Sequence, residues 1–137
     1  ADFQGHPLVL VFFMGDFCAG CRQQLLELGA AEQAFAEAGA ELLAVSADLP
    51  ANAEKTARFL ESKSVTGLQI AADPTLTAIE AFGVRMPGTR YAYHSVFLID
   101  AKGTLRLVAR GDHAPANLPS PAILLAELNA LDSGPIP

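Results

Sequence analysis

The stretch Leu8-Val-Leu-Val-Phe-Phe13 contains no polar residue, and it constrains the fold more than any other part of the chain. Its side chains are aliphatic, β-branched or aromatic, which favours extended backbone. With no polar alternate position, neither face of such a strand can be left in water. A strand of this kind belongs inside a parallel sheet that is covered on both sides. The chain has 137 residues, 51% of them hydrophobic, enough for one compact core and too few for two. The expectation is therefore one domain over residues 1–137.

The rest of the chain supplies the covering layers. Leu25, Leu28, Ala31, Phe35 and Ala38 recur at steps of three and four, which predicts one amphipathic helix terminated at Gly39. Glu41–Ser46 reads as a second strand, and Asn52 is placed to cap a helix with Ala53, Ala57 and Leu60 on one face. Leu68–Ala72 is a third strand. Asp73-Pro74 predicts an N-cap followed by proline at the first helical position, with Leu76 and Ile79 inward and Gly83 closing the helix. After an irregular connection over residues 85–92, Tyr93–Asp100 and Thr104–Arg110 flank Ala101-Lys102-Gly103 as a hairpin. A loop with Pro115, Pro119 and Pro121 leads to a last helix capped by Ser120, with Leu124, Leu128 and Leu131 on one face, and residues 132–137 read as a frayed tail. The order β-α-β-α-β-α-β-β-α predicts an α/β fold with a mixed central sheet and helices on both faces.

Nine Lys and Arg against fifteen Asp and Glu leave a formal charge of −6, with the basic residues scattered. No basic patch exists to hold nucleic acid or an anionic lipid surface. The apolar runs fall far short of the roughly 20 residues that span a bilayer, and no signal-peptide pattern opens the chain. Because it begins with Ala1 and enters a strand almost at once, a missing leader or an excised domain is the expectation. The compartment stays open, a cytoplasmic location being the first reading and an exported domain without its leader the second.

Between the first strand and its helix lies Gly15-Asp-Phe-Cys-Ala-Gly-Cys21, which holds both cysteines of the chain. Two cysteines this close cannot staple distant parts of a fold, and a domain of this size does not need it. A Cys-x-x-Cys in a strand-to-helix turn reads as a redox dithiol. Two other readings stand beside it. The pair could simply pack, or it could be half of a zinc site completed from His6, His94 and His113, although these lack helical or knuckle spacing.

The chain resembles the thioredoxin superfamily, in particular its branch of alkyl hydroperoxide reductase and thiol-specific antioxidant, peroxiredoxin-like, proteins. The resemblance is carried by Leu8–Phe13, Asp16-Phe-Cys-Ala-Gly-Cys-Arg-Gln-Gln-Leu25, Leu43-Ala-Val-Ser-Ala-Asp48, Ala72-Asp-Pro74, Ala81-Phe-Gly-Val84 and Val96-Phe-Leu-Ile-Asp-Ala-Lys-Gly103. It implies a thioredoxin-like fold lacking the hairpin that usually precedes the first strand. It also implies a thiol-based oxidoreductase whose only redox group is a Cys18–Cys21 disulfide, with no bound cofactor. The implied partners are a hydroperoxide or a protein disulfide or dithiol, with a thioredoxin-like or low-molecular-weight thiol as reductant.

Several positions depart from the family pattern. Peroxiredoxins carry Pro-x-x-x-Thr/Ser-x-x-Cys; here Met14 stands for the proline, Cys18 for the hydroxyl residue and Cys21 for the peroxidatic cysteine, while the family arginine falls on His94. Thioredoxin's cis-proline falls on His94 or Ser95. Thiols in this context reach pKa values of roughly 3.5 to 7 against about 8.5 for free cysteine, and the first helical turn is expected to act on Cys21. In a thioredoxin-like cycle Cys18 attacks a disulfide and Cys21 resolves; in a peroxiredoxin-like cycle Cys21 attacks peroxide and Cys18 condenses with its sulfenic acid. Both end in the same disulfide, and the sequence leaves the choice open. Arg22 is an auxiliary candidate that adds positive charge, Asp16 one that opposes it, and His94 one that stabilises a thiolate or relays a proton. The plainer readings are a hydrogen-bonded structural role for His94, loop packing for Tyr91 and Tyr93, solvated surface charge for Arg85 and Arg90, and strand-end packing for Met14.

Overall fold

The computed structural model describes residues 5–110 and 118–132. The elements run β1 (Leu8–Phe12), α1 (Ala19–Ala30), α2 (Glu32–Glu37), β2 (Glu41–Ser46), α3 (Pro50–Ser62), β3 (Leu68–Ala72), α4 (Thr77–Ala81), β4 (Ser95–Ile99), β5 (Leu105–Arg110) and α5 (Pro121–Asp132). The strands form one sheet in the order β3-β2-β1-β4-β5. β1 pairs parallel with β2, and β2 with β3, while β1–β4 and β4–β5 are antiparallel. The mixed sheet expected from the element order is the one observed.

All five residues of β1 are buried, and alternation divides them between two cores. Val9, Val11 and Phe13 face a cluster with Leu25 and Leu28 of α1, Phe35 of α2, Leu60 of α3 and Leu124 and Leu128 of α5. Leu8, Leu10 and Phe12 face the other way, toward Ile79 of α4, Val84 and Phe97. There Phe12, Phe82 and Phe97 stack edge-on or tilted, with centroids 5.0 to 5.7 Å apart. Such rings add about 0.5–1.5 kcal/mol per pair beyond their buried area.

The structure revises several boundaries. The helix expected to run to Ala38 breaks at Ala31, which caps α1 and starts α2. Beyond the break, the Glu32 carboxylate accepts from the backbone N–H groups of Thr66 (3.1 Å) and Gly67 (2.6 Å), tying α2 to the entrance of β3. That long-range tie leaves no local breaker in the sequence. α3 starts at Pro50 rather than being capped by Asn52; proline at N1 needs no N–H of its own. α4 starts at Thr77, after Leu76 at φ 64°, and Pro74 lies in the preceding turn. Asp73 still serves that helix, its carboxylate accepting the N–H of Ile79 at 2.8 Å. β4 begins at Ser95, because Tyr93 turns aside to donate its N–H to the Val84 carbonyl at 2.7 Å. The hairpin turns at Gly103 with φ +88°, and Ser120 caps α5, accepting from the N–H of Ile123 at 3.3 Å. Asp132, expected to open a frayed tail over 132–137, is instead the last residue of α5, while the rest of that tail and the expected roles of Pro115 and His113 lie outside the described residues.

Gly29 of α1 packs on Val65, and a Cβ added there would stand 2.8 Å from Val65 Cγ2. Helix propensity alone would make Gly29→Ala stabilising by about 1 kcal/mol. The stiff Val65 side chain reverses the sign, and a loss of about 1–3 kcal/mol is expected in urea unfolding. In a Val65→Ala background the same change should lose most of its cost; an equal loss in both backgrounds would refute the packing account.

Candidate active site

β1 ends where the Phe13 N–H meets the Val45 carbonyl at 3.0 Å, and the chain then leaves the sheet. Gly15 follows at φ +155°, with Phe17 and Asp48 so close that a Cβ would lie 2.7 Å from Phe17 Cε1 and 3.1 Å from Asp48 Oδ1. Only glycine fits that crossing. The Cys18 N–H closes the turn on the Gly15 carbonyl at 3.0 Å.

A polar cluster fastens this turn to the β2–α3 connection. Asp48 Oδ2 accepts from the Asp16 N–H (2.9 Å) and from the Ser46 hydroxyl (2.8 Å), and Asp16 Oδ1 accepts from the Thr56 hydroxyl of α3 (2.8 Å). Thr56 and Ser46 are fully buried. Asp16 therefore uses its carboxylate to position the turn, a role the sequence reading did not assign to it. Arg22 lies with its guanidinium 4.0 Å over the Phe59 ring, and its buried Nε has no hydrogen-bond partner among the described residues.

Cys18 is the N-cap of α1, with φ −90° and ψ 102°. Its Sγ accepts the N–H of Cys21 at 3.2 Å, and its carbonyl accepts the N–H of Arg22 at 3.1 Å as the first helical bond. Cys21, at the third helical position, is only 2% exposed and packs in the core formed with Val9, Val11 and Phe13. Cys18 is half-buried. The two are joined as a disulfide across a Cα separation of 5.2 Å. Cys21 thus lies in the first turn of the helix as expected, and Cys18, at the cap, also meets a helix N–H. An N-cap side chain folds back over the first turn, whereas a residue at the third position on the core-facing side points into the core. At the rim, Phe17 is 60% exposed and sets its ring against that of Tyr91, 5.2 Å between centroids. Tyr91 does pack in its loop, but against the residue preceding Cys18.

His94 immediately precedes β4 and is 3% exposed. Neither ring nitrogen has a hydrogen-bond partner among the described residues, so no bond joins it to either sulfur and the structural hydrogen bond expected of it is absent. It lines a cavity of about 230 Å³ with Val11, Gln24, Leu25, Leu28 and Val96, and neither cysteine contributes to that wall. Burial in these surroundings lowers its pKa from 6.5 to about 4, which keeps the ring neutral at pH 7.

Other residues have roles that sequence reasoning missed. Arg90 bridges two connections, donating to the carbonyls of Ala47 (3.1 Å) and Pro74 (3.0 Å). Arg85 pairs with Glu80 and reaches the Thr89 carbonyl at 3.2 Å. Both arginines are exposed, as expected of solvated surface charges, and each also holds backbone carbonyls or a carboxylate. Ser46 and Asp48 lie in a string already singled out by resemblance, yet nothing local marks them as anchors of the cysteine turn. Met14 packs against the core as expected. Among the described residues no three His, Cys, Asp or Glu side chains gather as a metal site; His113, one of the candidate ligands, lies outside them.

The burial of His94 has a consequence for stability. Unfolded imidazole takes up a proton near 6.5 and the native one near 4, so between those values the unfolded state binds more protons and acid destabilises the fold. The loss over that window is about 3 kcal/mol. Urea unfolding at pH 7 and pH 5 should show wild type losing stability and His94→Gln losing distinctly less; equal slopes would contradict a neutral buried ring.

The architecture and the cysteine turn can be set beside known proteins. Peroxiredoxin-2 of Cricetulus griseus is 30% identical over 115 residues, covering 82% of this chain and 58% of that protein. Peroxiredoxin Bcp of Escherichia coli (strain K12) is 32% identical over 113 residues, covering 78% of this chain and 70% of that one. The chain therefore spans little more than half the length of the first of these. Among solved structures, Enterococcus faecalis AhpC superposes with a TM-score of 0.85 at 21% identity, covering 96% of this chain and 78% of that one. The reduced 2-Cys peroxiredoxin of Plasmodium vivax gives 0.82 at 20%, covering 96% and 81%. These superpositions establish the thioredoxin-like fold of peroxiredoxins. The sequence profile of the AhpC/TSA family matches residues 1–108, and with that match the chain belongs to the AhpC/TSA family.

Proposed function

We propose that the chain is a thiol-based oxidoreductase of the peroxiredoxin type that cycles between a Cys18/Cys21 dithiol and a disulfide. The observation that carries this reading is the asymmetry of the pair: a half-buried Cys18 that caps α1 and receives a helix N–H, disulfide-bonded to a Cys21 that is 2% exposed. Backbone N–H groups at a helix N-terminus favour a thiolate. Cys18 is accordingly the sulfur that exchanges with external thiols and disulfides, and Cys21 is the resolving thiol.

In reduction, an external thiolate attacks Cys18 Sγ, the Cys18–Cys21 bond breaks and Cys21 leaves as a thiolate. A second thiol then attacks the mixed disulfide, so two external thiols become one disulfide while the chain gains a dithiol. In oxidation by a hydroperoxide, a thiolate attacks the peroxide, the O–O bond breaks and the leaving oxygen takes a proton as alcohol or water. The resulting sulfenic acid condenses with the other cysteine and releases water. A thioredoxin-like protein or a small thiol is the reductant in this scheme.

A second reading, favoured by the named relatives, starts peroxide reduction at Cys21, the position that matches the family's peroxidatic cysteine. His94 stands where that family pattern has arginine, and a buried neutral ring supplies no cation to the leaving oxygen. Cys18 is for this reason the preferred point of entry.

Single-cysteine variants separate the readings. Exposed to a model disulfide and followed by mass spectrometry, Cys21→Ser should accumulate a stable mixed disulfide on Cys18, while Cys18→Ser should form it at least tenfold more slowly. Rapid sulfenic acid on Cys21 in Cys18→Ser under hydrogen peroxide, with no mixed disulfide on either variant, would transfer the attacking role to Cys21. Inert thiols under both reagents would sink the redox function altogether.

A further inference from the structure

Thr56 belongs to the buried stripe of α3, between Ala53 and Leu60. A hydroxyl among apolar neighbours is costly unless it is hydrogen-bonded. With no exposed surface, Thr56 directs its hydroxyl out of its own helix to Oδ1 of Asp16 at 2.8 Å. Asp16 lies in the irregular segment, residues 14–17, that leaves β1 and ends at Cys18, the cap of α1. Among the described residues, two hydrogen bonds from elsewhere in the fold reach this segment, and both involve Asp16. Its carboxylate accepts from Thr56, and its N–H donates to Asp48 Oδ2 at 2.9 Å. Asp48 is held in turn by the buried Ser46 hydroxyl at 2.8 Å. A residue two positions before the half-buried sulfur thus carries the long-range polar attachment of the cysteine turn.

We propose that Thr56 is a positioning residue of the redox pair: acting through Asp16, it holds the turn in the geometry that closes the Cys18–Cys21 disulfide, and so sets how readily that disulfide forms. This role presupposes the Cys18/Cys21 cycle proposed above. In the oxidised chain the S–S bond itself ties the turn to Cys21, across a Cα separation of 5.2 Å, and keeps it in place with or without the polar anchor. In the reduced chain that tie is absent. The Asp16 anchor and the contact between the Phe17 and Tyr91 rings then limit the excursions of the turn. A turn already held in position loses less conformational entropy when the bond closes, which raises the effective concentration of one thiol at the other. Removing the Thr56 hydroxyl therefore frees the dithiol more than the disulfide and moves the equilibrium toward the dithiol. The Asp16 carboxylate left behind is only half-buried, so water can replace the lost donor.

The test equilibrates the full chain in glutathione redox buffers at pH 7 and reads the reduced fraction by alkylation and mass spectrometry. The exchange converts the chain disulfide and two glutathione thiols into the chain dithiol and one glutathione disulfide. Thr56→Val is expected to shift this equilibrium toward the dithiol by about threefold to tenfold. Thr56→Ser, which keeps the hydroxyl, should stay within about twofold of wild type. Gly29→Ala burdens α1 away from the turn and weakens both redox forms alike, so it too should stay within about twofold. Ser46→Ala, which loosens Asp48, should shift the equilibrium in the same direction as Thr56→Val, and it decides the matter if Thr56→Val fails to fold. An unchanged equilibrium in the deciding variant, or an equal shift in Thr56→Ser or Gly29→Ala, would overturn the positioning role while leaving the redox cycle standing. A wild-type pair that exchanges with neither glutathione nor dithiothreitol would overturn the cycle itself, and the positioning role with it.

Discussion

A strand with apolar side chains on both faces has no polar group to offer except at its ends, and β1 is such a strand. It lies at the centre of the sheet, its backbone groups taken by β2 on one side and β4 on the other. Chemistry is thereby pushed past its C-terminal end, where the chain must leave the sheet and enter α1. The two cores built on β1 hold the partners of this exit: β2, whose continuation carries Ser46 and Asp48, and α1, whose first turn carries both cysteines. The polar cluster of Asp16, Ser46, Asp48 and Thr56 then does locally what the sheet does globally. It holds a short irregular turn in one geometry through side chains that are themselves hydrogen-bonded.

Much of this architecture is legible in the sequence because its signals are local. Six apolar residues in a row at Leu8–Phe13, a Cys-x-x-Cys directly after them and helical spacing from Leu25 to Phe35 need no knowledge of distant residues. What sequence reasoning misses is decided by partners far along the chain. The break at Ala31 goes with a carboxylate, Glu32, that reaches residues 66 and 67. The carboxylate of Asp16 accepts from Thr56, forty positions away, a positioning bond that its neighbours in sequence do not announce. Arg90 looks like any exposed arginine until the carbonyls of Ala47 and Pro74 are seen on either side of it. The cavity is invisible for the same reason, since four separate elements form its walls.

His94 illustrates how a family framework redistributes a task. At the aligned position the family pattern has arginine, a side chain that stays charged and resists full burial without a partner. Histidine can instead surrender its charge, and here burial makes it do so. The residue then carries no charge at pH 7 and packs beside a cavity between α1, α5 and the sheet. In the function proposed here, stabilisation of a developing thiolate is left to the N-terminus of α1, whose N–H groups cannot titrate.

The same exchange is visible at Cys18. Peroxiredoxins place threonine or serine three residues before their reactive cysteine, and a hydroxyl there is a preferred N-cap. A thiol could be expected to cost the helix its cap, since sulfur accepts hydrogen bonds weakly. It does not do so in geometry: Sγ of Cys18 accepts the N–H of Cys21 at 3.2 Å, the bond a serine or threonine oxygen would make. A single side chain therefore closes the helix and supplies a second sulfur within bonding reach of the first. In the proposed cycle the capping bond ties the two functions together, because the N–H that caps the helix is the one that would face a negative sulfur at that position. Placing sulfur where the family has a hydroxyl keeps the local fold and sets one sulfur at the half-buried cap of α1 and the other at its buried third position.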